Sequence, residues 1–146
     1  MSQTKIEPVK WEDYKEGDFA THTKTITETD VVLFAGISGD FNPIHINAEY
    51  AKTTQFGKRV VHGIISVSLI SACLGAKLFG PGILYVSQSV NFKKPVFIGD
   101  TLTAICTVAE KFTKKEGKSK FIKVDTKVYN QNQDVVTDGE GLILIM

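Results

Sequence analysis

Two rhythms of hydrophobic and polar residues run along this chain. Over residues 60–79 it reads VVHGIISVSLISACLGAKLF, apolar nearly all round rather than along one stripe. A helix of that kind is either embedded in lipid or wrapped by protein. Its length approaches the ~20 residues of a membrane span, but His62, Lys77, three serines and two glycines dilute it. The residues that follow can supply the wrapping. Over 84–92 the apolar residues fall at every second place, which predicts a strand with Tyr85, Ser87, Ser89 and Asn91 on a polar face. Lys93-Lys94-Pro95 ends that run, and Gly99-Asp100 marks a turn. Further strands are predicted over 101–112, with Leu102, Ala104, Cys106 and Val108 on one side, over 120–129, and in a last run ending at 142–146.

An earlier strand is predicted over 19–27. Thr27-Glu28-Thr29-Asp30 then offers capping oxygens and an acidic first turn. The short helix it opens would present Val31, Val32, Leu33, Phe34 and Ile37 as its apolar face, with Gly36 and Gly39 loosening its end. This order predicts an α+β domain: a curved antiparallel sheet, mostly downstream, wrapped around a long central helix.

Size and charge narrow the functions. The 146 residues amount to one domain, 1–146, so an active site must lie within it or between it and a copy of itself. Seventeen basic and sixteen acidic side chains leave a net charge of +1, which argues against a nucleic-acid or membrane binder. Cys73 and Cys106 stand far apart in apolar surroundings, and residues 1–10 hold no apolar signal core. Two buried thiols in a reducing cytoplasm are expected.

The chemistry concentrates in Gly39-Asp40-Phe41-Asn42-Pro43-Ile44-His45. Pro43 fixes one φ angle and keeps Asn42 out of the helical region, so the loop is bent and stiff. A carboxylate and an imidazole can then converge, as general acid–base chemistry needs. On spacing alone a plain turn, with Asp and Asn bonding their own backbone, accounts for the same residues. No metal is expected. The Asp40-x-Asn42 start of a calcium loop lacks its later ligand and glycine, and His45 and His62 have no zinc spacing. Gly36-Ile37-Ser38-Gly39 is one residue short of a nucleophile elbow. Gly80-Pro81-Gly82 reads as a turn rather than a phosphate loop.

The stretch Phe34-Ala35-Gly36-Ile37-Ser38-Gly39-Asp40-Phe41-Asn42-Pro43-Ile44-His45 resembles the hydratase signature of the MaoC-like family, the (R)-specific enoyl-CoA hydratases. Val61-His62-Gly63-Ile64, Gln88-Ser89-Val90-Asn91-Phe92 and Lys94-Pro95-Val96-Phe97-Ile98-Gly99-Asp100 resemble further family segments in the same order. The resemblance implies a hotdog fold that adds water reversibly across trans-2-enoyl-CoA, giving the (R)-3-hydroxyacyl-CoA. It implies no cofactor, coenzyme A being part of the substrate. Asp40 and His45 match the catalytic pair, and Gly63 the backbone donor to the thioester oxygen. Asn42 would brace the loop. Ser68 matches a family serine near the pair, or serves close helix–sheet packing. His62 reads as structural. Lys93 and Lys94, with Lys58 and Arg59, would meet the coenzyme A phosphates or stand solvated.

Two other activities share the fold: an acyl-CoA thioesterase, and a non-catalytic acyl-thioester-binding subunit. The expected partners are an acyl-CoA substrate or an acyl carrier protein and a second copy of the chain, as a homodimer or dimer of dimers, with no nucleic acid and no membrane.

Overall fold

The computed structural model describes residues 6–146; the first five residues of the polar amino-terminal stretch lie outside the described residues. Strand β1 (Phe19–Thr25) leads to helix α1 (Glu28–Ser38), the short helices α2 (Pro43–Ile46) and α3 (Ala48–Lys52), and the central helix α4 (Gly63–Cys73). Strands β2 (Ile83–Gln88), β3 (Asn91–Phe92), β4 (Thr101–Lys114), β5 (Ser119–Tyr129) and β6 (Val135–Ile145) follow. All pairings are antiparallel, in the order β1-β4-β5-β6-β2, with β3 continuing along β6 beyond the end of β2.

The core lies between α4 and the concave face of this sheet. Leu102, Ala104, Cys106 and Val108 alternate inward along β4, each no more than 1% exposed. They meet Ile65, Leu69, Ile70 and Cys73 of the helix in one cluster with Ile122, Val124 and Ile143. Burying a Leu, Ile or Val side chain contributes about 1.5–3 kcal/mol, so this seam fixes the register of the longest strands. Both thiols are buried and free; hydrogen bonding to Cys73 and burial push the Cys106 thiol well up. This is the predicted hotdog arrangement. Among the described residues no helix is long and apolar enough to cross a membrane.

The central helix differs from expectation in three ways. It begins at Gly63 rather than 60, since Val60 is drawn into a bridge with Phe97. Its last residues, Leu74–Leu78, wind as a π turn. Nor is it wrapped all round: Ile64 is 51% exposed, and Ser68, Ser71 and Gly75 continue an open stripe below it. The sheet covers one side of the helix and leaves the other open among the described residues.

The 84–92 run is two strands with its faces opposite to expectation. Leu84 and Val86 are 52% and 46% exposed, while Ile83 and Tyr85 pack on the core. A bulge between Tyr85 and Ser87 turns this edge strand. The inner side is a polar network that sequence alternation could not reveal. The Tyr85 hydroxyl donates to Gln88 Oε1, and Gln88 Nε2 donates to Thr126 Oγ1 at 2.8 Å. Burial pushes the Tyr85 phenol up to about 12. Gly139 and Gly141 make room for it: a Cβ at 139 would fall 1.8 Å from the Ser89 carbonyl oxygen.

Helix α1 opens as predicted, with Thr27 and Asp30 in a reciprocal capping box. However, only Val31 and Ala35 of it are buried; Val32, Leu33 and Ile37 are exposed. At the opposite edge of the sheet, β1 pairs with β4 through threonine hydroxyls, Thr23 with Thr103 at 2.9 Å and Thr25 with Thr101 at 2.8 Å.

Candidate active site

Gly39 sits at φ 78°, a left-handed conformation that glycine adopts without strain, and its N–H donates to the Ala35 carbonyl to close α1. The chain then reverses through a loop held by its own side chains. Asp40 N–H donates to Ser38 Oγ at 3.1 Å, and Asp40 Oδ1 accepts from Asn42 N–H at 3.1 Å. Asn42 caps α2 through Oδ1, which accepts from Ile44 N–H at 3.2 Å, and Pro43 occupies the first turn. The bonds of Asn42 are therefore those of a loop brace.

One turn of α2 brings His45 Nε2 to 3.8 Å from Asp40 Oδ2. His45 Nδ1–H donates to the Val60 carbonyl at 2.6 Å. A carbonyl only accepts, so the neutral ring carries its proton on Nδ1 and presents an Nε2 lone pair toward the carboxylate. His45 is mostly buried (14% exposed) while Asp40 is 48% exposed, so the carboxylate is open to solvent or substrate. The His62 ring stacks on His45 with centroids 3.9 Å apart, and His62 Nε2–H donates to the Asp40 carbonyl at 3.0 Å. Ligand atoms of Asp40, His45 and His62 lie within 4.8 Å of one another. With His62 Nε2 engaged by a carbonyl, Asp40 Oδ2 and His45 Nε2 are left facing one another.

A cavity of about 410 Å³ opens beside His45, walled by Gly63, Ser66, Phe92, Lys93 and Thr137 among others. Gly63 is the first residue of α4, and among the described residues nothing accepts its N–H. The helix start adds positive potential. The Phe92 ring lies so close that a Cβ at 63 would meet its Cε1 at 2.9 Å. The structure thus brings Asp40, Asn42, His45 and Gly63 together.

Ser68 is not among them. It is exposed, its hydroxyl donates to the Ile65 carbonyl at 2.6 Å, and it borders a different groove with Lys24, Leu33 and Ile37. Nor does it pack against the sheet. Ser66 takes the place in the cavity: it is 2% exposed, donates to the Gly63 carbonyl at 2.6 Å and shares a hydrogen bond of 2.7 Å with Thr137 Oγ1. Its spacing of three from Gly63 puts both on one helix face, a signal present in the sequence.

Lys93 and Lys94 do line the cavity, but each has a carboxylate partner, Asp138 at 3.5 Å and Asp134 at 2.6 Å. Lys94 and Asn130 hold the Asp134 carboxyl below its usual range. Arg59 pairs with Glu28 at 2.6 Å, and Lys58 sits 4.1 Å above the Phe97 ring.

Residues 14–132 match the family described as MaoC like domain. The chain is 47% identical to an (R)-specific enoyl-CoA hydratase of Rhodospirillum rubrum over 135 residues, 92% of this chain and 90% of that one. It is 39% identical to a 3-hydroxybutyryl-CoA dehydratase of Methylorubrum extorquens over 92% of this chain and 83% of that one. Its fold superposes on the solved R-hydratase PhaJ1 of Pseudomonas aeruginosa with a TM-score of 0.86 and 40% identity, covering 94% and 86% of the two chains. The matched span holds the whole Asp40–His45 loop, the start of α4 and most of the sheet around them, and on that footing the chain belongs to the MaoC-like family.

Proposed function

We propose that this protein is an (R)-specific enoyl-CoA hydratase, a hydro-lyase that runs equally as a 3-hydroxyacyl-CoA dehydratase. One observation carries the reading: an Asp40 carboxylate and an oriented His45 Nε2 stand 3.8 Å apart beside a cavity lined by Gly63, whose N–H has no acceptor among the described residues. A gap of that size suits one water bonded to both groups. Asp40 takes a proton from this water as its oxygen bonds to C3 of the enoyl thioester. Electron density moves onto the thioester oxygen, where Gly63 N–H and the helix start stabilise the enolate. His45 helps to hold the water; its Nε2 lone pair takes over the proton from Asp40 and delivers it to C2. The Val60 carbonyl on Nδ1–H supports the ring in both protonation states. One proton enters the pair and one leaves, so the pair ends as it began, and no group beyond substrate and water is consumed. The domain acts as one unit, with residues 1–146 serving a single site.

The carrier is coenzyme A or an acyl carrier protein, and Lys93 and Lys94 at the cavity mouth would meet its phosphates by exchanging their carboxylate partners. The active unit is a homodimer, itself able to pair further, in which β2 edges meet to extend the sheet. The exposed Leu84 and Val86 and the open stripe of α4 support this. The two buried thiols suit a reducing cytoplasm.

Hydration of crotonyl-CoA, followed by loss of the conjugated enoyl absorbance, tests the reaction. Asp40→Asn and His45→Gln are expected to lower turnover by about 10²–10⁴-fold with the fold intact. Unchanged activity in both would remove the pair from the mechanism, an (S)-3-hydroxy product would refute the stereochemistry, and free thiol release would indicate thioester hydrolysis instead.

A further inference from the structure

We propose that His62 is a positioning residue, which rests on the acid–base reading of Asp40 and His45 given above. Its side chain is 2% exposed and is held between two rings, Phe34 at 4.8 Å and His45 at 3.9 Å between centroids. Its Nε2–H donates to the main-chain carbonyl of Asp40 across 22 residues of sequence. It also occupies the N-cap position of α4, without a side-chain capping bond, next to Gly63, which lines the cavity and whose N–H has no acceptor among the described residues. One residue therefore connects three parts of the site. It fixes the backbone from which the Asp40 carboxylate projects, packs on the face of the His45 ring, and belongs to the turn that sets Gly63.

Packing alone does not explain a histidine here. With Nε2 donating, Nδ1 carries a lone pair, and it is buried with no hydrogen-bond partner among the described residues. A buried unpaired polar atom is unfavourable, and a phenylalanine would fill the same slot between two aromatic rings without it. What phenylalanine cannot supply is the donor to Asp40. Asp40 needs that donor because its other hydrogen bonds, its own N–H to Ser38 and Asn42 N–H to its carboxylate, are exposed and local. Among the described residues, the bond from His62 is the hydrogen bond that ties Asp40 to the buried part of the domain.

Misplacing a reacting group by about 1 Å can lower turnover by about 10²-fold. His62→Phe is therefore expected to reduce kcat for crotonyl-CoA by about 10- to 100-fold, with KM within about twofold and Tm not lowered. His62→Gln, whose amide reaches the position of Nε2, is expected to recover most of that loss. His62→Asn, whose amide falls short, is not. A merely structural role would lower Tm in all three variants and would not separate Gln from Asn. Full kcat in folded His62→Phe overturns the proposal, as do equal rates in His62→Gln and His62→Asn, or failure of all three to fold. Asp40→Asn is measured beside them: if it stays active, the acid–base reading fails, whereas an inactive Asp40→Asn with an active His62→Phe removes the positioning role alone.

Discussion

Gly63→Ala separates the chemistry of the helix start from its contribution to stability. The backbone of Gly63 is helical, so alanine fits its conformation and gains up to about 1 kcal/mol of helix propensity over glycine. Against that, the new Cβ would lie 2.9–3.1 Å from three atoms of the Phe92 ring. Phe92 is 54% exposed and belongs to the two-residue strand β3, so its ring can turn outward at little cost. These effects nearly cancel, and a shift of 1 kcal/mol in a domain this size moves Tm by about 2–4 °C. Activity should respond much more. The methyl group intrudes on the approach to the Gly63 N–H and displaces a wall of the 410 Å³ cavity. Losing one preorganised oxyanion donor lowers kcat by about 10²–10³-fold, or about 2.7–4 kcal/mol of barrier. Steady-state hydration of crotonyl-CoA and a thermal melt on the same preparation measure both. A variant with normal kcat and raised KM would mean that Gly63 shapes binding without stabilising the enolate, and the oxyanion argument would be refuted.

Gly139→Ala should behave in the opposite way, losing stability first, because its Cβ meets a main-chain oxygen at 1.8 Å that cannot turn aside. Overpacking of this kind costs about 1–3 kcal/mol or more. Gly36→Ala, in helix α1 with nothing within 4 Å of the new Cβ, should gain about 0.5–1 kcal/mol, and chemical denaturation of the two compares them. Leu84→Lys places a charge on a half-exposed edge position, so the folded chain should tolerate it while the dimer does not. Sedimentation should find the variant near 16.1 kDa, with the parent protein at about twice that mass; a parent monomer refutes the assembly. Tyr85 should ionise near pH 12, after ordinary tyrosines at about 10. The unfolded chain then loses this proton first, so Tyr85 removes stability as pH rises from about 10 to 12. Tyr85→Phe should abolish the late step in phenolate absorbance and that share of the alkaline loss.

The alternation in β4 was legible because an antiparallel strand packed on one face sorts its residues with period two, and Leu102 to Val108 do so without exception. The cap of α1 was legible because Thr27 and Asp30 are close in sequence and need no distant partner. The same period-two signal misled at β2. Alternation says that two faces differ but not which one is inner, and here Thr126, Gly139 and Gly141, all distant in sequence, build a polar niche that draws Tyr85 and Gln88 inward. In the site, the stiff loop from Gly39 to His45 is local, so its residues could be read directly. Ser66 could be told from Ser68 only by its spacing of three from Gly63, since the side of α4 that the sheet covers is not written in the helix itself. The contact of His62 with Asp40 spans a gap that no local pattern records.

The two borders of the sheet are chemically unlike. At β1, hydroxyls clasp the neighbouring strand, and Lys24 is engaged by Asp30 at 2.8 Å. A lysine on a border strand discourages a further strand from adding. At β2, the border is bulged and flanked by bare leucine and valine. The apolar β2 border is the one suited to the proposed pairing, while the β1 border discourages a further strand. Two such chains that join through β2 leave only their β1 borders outside, and the composite sheet has no adhesive end. With the proposed pairing through β2, the asymmetry would make growth of the sheet self-limiting, because only the borders that discourage a further strand stay outside.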